Sequence, residues 1–168
     1  MPGSKLVYLL YESWKDLDRV LDGLTEQDAT SNFEGSSFAW TCGHVAQTID
    51  AWINVRFQHR PAHSLLGEQR FRFEGTGVAE EWATIRTAER DVRAAAKAYL
   101  DPLHDRDLDL VVPYDGSHLH LRKTGLGLRY ALIRNIAHHY FHIGEIATKR
   151  ACLGHDVGDY PGYWEDRL

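Results

Sequence analysis

Only two cysteines occur in the 168 residues, Cys42 and Cys152, and they do not form a Cys-x-x-Cys pair. A disulfide framework is therefore not expected, and a reducing cytoplasm is the expected compartment. There is no basic run, and the formal net charge is -5. Both features argue against a nucleic-acid partner, whose phosphates call for clustered Lys and Arg. No apolar stretch approaches the length of a membrane span, and the opening Met1-Pro2-Gly3-Ser4-Lys5 lacks the apolar segment of a secretory signal. Internal repeats and low-complexity tracts are missing too. The length suits one core, so a single helical domain over residues 1–168 is expected.

What is present is helical periodicity. Leu6, Leu10, Trp14, Leu17, Leu21 and Leu24 recur every three or four residues, with charged residues on the opposite face. Gly23 and the polar residues after it end this first helix. A second helix starts near Ser36 or Ser37, both good N-cap residues, and carries Phe38, Cys42, Val45, Ile49, Trp52 and Ile53. A third spans about Val78 to Leu100, closed by Pro102. A fourth spans about Leu126 to Cys152, ended by Gly154. Between the last two, Leu110-Val111-Val112 and His118-Leu119-His120-Leu121 flank an Asp115-Gly116 pair, which reads as a small β-hairpin. The expected fold class is all-α, a four-helix bundle with a long crossover connection over about His59 to Thr76.

Chemistry concentrates in Asn135-Ile136-Ala137-His138-His139-Tyr140-Phe141-His142-Ile143-Gly144-Glu145. On a helix, His138 and His142 sit about 40° apart around the axis and about 6 Å apart along it, so their ring nitrogens can converge on one ion. His139 points about 100° away from His138 and more naturally flanks a site, although a His139–His142 pair stays possible. His44 lies far upstream on the second helix, in a mildly polar seam with Thr41 and Thr48. On residues alone it reads equally as a core imidazole and as a third ligand.

Other residues carry weaker signals. Glu145, one turn after His142, is the candidate catalytic residue, as a general base or as an acceptor behind the imidazole; a solvated carboxylate is the plain alternative. Asp50 and Cys42 read as structural. His118 and His120 share a face of the expected hairpin, where exposure is the simpler reading and a second weak metal or substrate contact the alternative. Tyr160, Tyr163 and Trp164 in the tail suit a bundle cover, a substrate entrance or a subunit contact.

Gly43-His44-Val45-Ala46 followed much later by His138-His139-Tyr140-Phe141-His142-Ile143-Gly144-Glu145 resembles the DinB-like (YfiT-like) family of metalloenzymes. That family often shows His-Arg-Gly-Gln at the second motif, where this chain has His-Ile-Gly-Glu, so any role of the Arg or Gln does not transfer. The resemblance implies a four-helix bundle, commonly a homodimer, with one divalent metal held by His44, His138 and His142. It also implies a small-molecule substrate and a low-molecular-weight thiol such as mycothiol or bacillithiol as cosubstrate. Three imidazoles leave an open coordination position, where a water or a thiol would be acidified; of these the resemblance implies thiol transfer, with hydrolysis by an activated water as the alternative. A non-catalytic metal-binding dimerisation module is the third reading. Zinc, nickel, iron, manganese and copper all remain open as the metal.

Overall fold

The structure is a computed structural model that describes residues 3–32 and 35–164. The last four residues of the aromatic tail lie outside the described residues. Four long helices form the bundle: α1 (Lys5–Leu21), α3 (Phe38–Ile49), α4 (Trp82–Leu100) and α6 (Leu128–Cys152). Short helices α2 (Glu26–Thr30) and α5 (Leu121–Thr124) sit between them. Helix α1 packs on α6, α3 packs on both α4 and α6, and the shared core lies between these faces.

Apolar spacing explains α1. Val7, Leu10, Trp14, Leu17, Val20 and Leu21 are buried, while Leu6 and Leu24 lie at the margin of the stripe. The polar stretch after Gly23 is not all loop. Thr25 and Asp28 form a reciprocal capping box that starts α2, a signature legible in Thr-x-x-Asp.

Helix α3 is capped by Ser37, whose Oγ accepts from the Trp40 N–H at 3.1 Å. Every residue from Phe38 to Ala46 is buried, which makes α3 the central element. It continues without a break as a π-helix over Asp50–Phe57. Four-residue steps drift about 40° forward on an α-helix, whereas the wider π turn, closed by i→i+5 bonds, makes them drift back. His44, Thr48, Trp52 and Arg56 therefore stay in one row, and all four line a common cavity.

The connection from the π-helix to α4 is long, as expected, and is tied down at several points. Leu66 and Phe71 are fully buried, Asp50 Oδ2 accepts from the His63 N–H at 2.7 Å, and Trp40 Nε1 donates to the Arg70 carbonyl. Helix α4 begins at Trp82 and not at Val78. Residues 78–81 stay outside the helix, where Ser37 holds this strap: its N–H donates to the Gly77 carbonyl and its Oγ accepts from Ala79 N–H.

The β element between α4 and α6 differs from expectation in register. Strand β1 (Val111–Val112) pairs antiparallel with β2 (Leu126–Gly127), and the 118–120 segment is a turn leading into α5, whose first residue is Leu121. Tyr114 Oη accepts from the His118 N–H and Arg122 donates to the Gly116 carbonyl, which curls the chain after Asp115-Gly116. Gly125, at φ 81°, then brings the chain back to pair with β1. Helix α6 consequently starts at Leu128, not Leu126. Among the described residues no helix is long and apolar enough to cross a membrane.

Candidate metal centre

Two contacts hold His44. Its ring stacks on Trp40, one turn earlier on α3, with centroids 4.8 Å apart and planes 7° from parallel. Its Nδ1 lies 2.7 Å from the Phe71 carbonyl oxygen and must donate to it. Gly43 makes that contact possible: a Cβ there would lie 2.5 Å from Phe71 Cε1. With Nδ1 protonated, His44 offers its Nε2 lone pair.

Similar logic fixes the other two rings. Thr48 Oγ1 spends its hydrogen on the His44 carbonyl at 3.0 Å, so it accepts from His138 Nδ1 at 3.3 Å. His142 Nδ1 donates to Glu145 Oε2 at 2.8 Å, since a carboxylate can only accept. The second Glu145 oxygen accepts from Ser36 Oγ at 2.8 Å and Lys149 Nζ at 2.6 Å. The hydrogen bond from His142, with those from Lys149 and Ser36, holds the Glu145 carboxyl down at about 2 despite burial.

His138 Nε2 and His142 Nε2 face each other at 3.1 Å. With both rings protonated on Nδ1, two lone pairs point together, which is repulsive unless a cation sits between them. Burial, and next the neighbouring His142 and His44 rings, push the His138 pKa down to about 2. Burial also lowers His44. The three rings are steeply inclined to one another, with centroids 4.6 to 5.2 Å apart. Their donor atoms all lie within 4.8 Å of one another. Two nitrogens on a tetrahedral metal at about 2.0–2.1 Å would lie about 3.3 Å apart, close to the His138–His142 separation. The donor set thus fits one metal ion.

On the open side, His44 and His138 line a cavity of about 710 Å³ whose wall includes Trp52, Tyr114 and His118. These rings form a chain of contacts: Trp52–His118 at 5.6 Å and Tyr114–His118 stacked at 6.1 Å.

Remaining sequence candidates fall around this centre. His139 is fully buried, donates from Nδ1 to the Asn135 carbonyl at 2.7 Å, and is absent from the imidazole group. Cys42 is fully buried, and burial pushes its thiol well above the usual range. Asp50 accepts from Asn54 and from His63 N–H, a structural tie. His118 and His120 sit in the turn before α5, and His118 contributes to the cavity wall. In the tail, Tyr160 packs beneath Arg19 while Tyr163 is exposed. Sequence reasoning missed Ser36 and Lys149, which grip Glu145, and the Phe71 carbonyl. Lys149 stands one turn after Glu145 and was findable by that spacing. A carbonyl 27 residues from its partner leaves no such trace.

A family model described as the DinB superfamily matches residues 9–146, a span that includes His44, His138 and His142. No curated protein matches the chain.

Proposed function

The chain belongs to the DinB superfamily, known for binding metal, and from that premise we propose that it is a metal-dependent enzyme. In this reading His44, His138 and His142 hold one divalent cation through Nε2, and a low-molecular-weight thiol is transferred to a small electrophilic acceptor. The supporting observation is the facing pair of Nε2 atoms at 3.1 Å, with each Nδ1 tied outward. A divalent cation held by these three neutral imidazoles would keep its full charge and would supply acidification of a bound thiol or water.

The chain's own residues then orient and enclose. The Phe71 carbonyl, Thr48 and Glu145 fix ring orientation and tautomer, the usual office of groups behind a ligating histidine. Glu145 has both oxygens engaged and a pKa near the bottom of the carboxylate range, which makes it a poor proton acceptor at neutral pH. We therefore assign it the positioning of His142, in place of a general-base role. Trp52 and Tyr114 give the cavity an apolar wall that holds an acceptor and limits water. The imidazole group contains no fourth protein donor among the described residues, which favours an open site over a closed structural one.

Elemental analysis of the purified protein and of His142→Ala tests the ligand set. Stoichiometric metal in the wild type and its loss in the variant are expected; metal in neither defeats the reading. Metal-loaded protein is then given excess thiol with an electrophilic acceptor, and separately an ester or amide alone. Conjugate formation is expected, whereas hydrolysis without conjugation would replace transfer by water-based chemistry.

A further inference from the structure

The cavity beside the imidazoles is lined by three arginines, Arg56, Arg72 and Arg134, and by two carboxylates, Asp50 and Glu74. Most of these charges have partners. Arg56 pairs with Asp115 at 2.9 Å and lies 4.3 Å over the Tyr114 ring, and Arg72 donates to the Gly67 carbonyl at 3.2 Å. Asp50 accepts from Asn54 and the His63 backbone. Glu74 is exposed on the crossover, at φ 63°. Arg134 is different: among the described residues it makes neither an ion pair nor a hydrogen bond, yet it stands one turn before His138 on the same face of α6. Arg134 lines the same cavity as His118, on the aromatic wall, and His138, in the imidazole group.

We propose that this cavity binds a small planar organic monocarboxylate, with Arg134 holding the acid group and Trp52, Tyr114 and His118 packing against its body. The inference rests on the cavity being the acceptor site of the enzyme proposed above, and it names the acceptor's chemical class. A guanidinium is a planar fork that matches a carboxylate in two parallel hydrogen bonds. One uncommitted guanidinium suits a single negative charge better than a phosphate dianion. The aromatic rings offer flat apolar surface to an unsaturated body. Arg134 and His138 are four residues apart on α6, about 6 Å along its axis, so an acid anchored at one brings a carbon a few bonds away to the other.

Calorimetric titration of metal-loaded protein with benzoate, benzamide and phenyl phosphate tests this, in the wild type, Arg134→Gln and Arg134→Lys. Arg134 is exposed, so both variants are expected to fold, which circular dichroism checks. Benzoate should bind more tightly than benzamide to the wild type. Its affinity should fall roughly tenfold or more in Arg134→Gln and recover in part in Arg134→Lys, with benzamide unchanged throughout. Benzoate binding no tighter than benzamide, phenyl phosphate binding tighter than benzoate, or an Arg134→Gln variant that binds benzoate as the wild type does would each overturn the proposal. Repeating the titration after chelation separates the two readings. Arg134-dependent binding that persists there upholds this inference even if the metal reading fails. Binding that vanishes on chelation and ignores Arg134 sinks it while leaving the metal reading intact.

Discussion

At the scale of single residues, the centre depends on the atoms behind the imidazoles. Glu145 ties its carboxylate to His142, Lys149 and Ser36 together. Glu145→Ala is expected to weaken metal binding by about 10–100-fold, and Glu145→Gln by less, because an amide oxygen still accepts from Nδ1. Competition against a chromophoric chelator measures both, and equal affinities across the series would remove Glu145 from the site. Gly43 acts at one further remove. A methyl group there collides with the fully buried Phe71 ring, whose own carbonyl holds His44. Gly43→Ala should cost about 1–3 kcal/mol in urea unfolding, an overpacking effect. It should also lower metal affinity although residue 43 touches no metal. The spacing of His138 and His142 was readable from the sequence, since helix geometry alone aligns them. The neighbours that choose their tautomers were not.

At the scale of elements, α3 matters most, because one cap serves two segments. Ser37 Oγ accepts from Trp40 N–H inside the helix and from Ala79 N–H on the strap before α4. Ser37→Ala is therefore expected to cost about 1–2 kcal/mol, the upper part of the range for a helix cap. An equilibrium unfolding curve shifted by no more than a typical surface substitution would show the strap to be independent. The cap itself was legible as Ser before an apolar run, but its second client lies 42 residues away. That client also explains why α4 starts four residues later than periodicity alone suggests. The π-helix was likewise invisible in composition: Asp50–Phe57 has ordinary helical spacing of apolar residues, and the wider turn shows only in the backbone.

For the whole molecule, burial of neutral histidines couples folding to pH. Burial first, and the charge of Arg93 next, push the His139 pKa down to about 3. In the unfolded chain a histidine titrates near about 6.5. Below that value the unfolded state takes up a proton that the native state refuses, so stability falls as the pH drops from about 6.5 toward about 3. His138, at about 2, acts in the same direction, while Glu89, raised by burial, acts in the opposite one at pH values above the ordinary carboxylate range. In chelator-containing buffer, urea midpoints at pH 7 and pH 5 should show a clear loss for the wild type and a smaller one for His139→Gln. Identical losses would mean that His139 does not carry the effect.

The apolar stripes of α1, α3, α4 and α6, the Ser37 cap and the i, i+4 histidines follow from the sequence by itself, because each is a relation between residues a few positions apart. Periodicity also says which side of each helix turns inward. The meeting of His44 with His138 and His142, the pairing of β1 with β2, and the lone guanidinium of Arg134 beside the cavity belong to tertiary structure. The strand pairing closes over the turn and α5 between its partners, and the other two relations depend on the packing of α3 against α6 and the crossover. Local spacing orients a side chain about its own helix axis; which groups it then faces depends on how the helices and loops assemble.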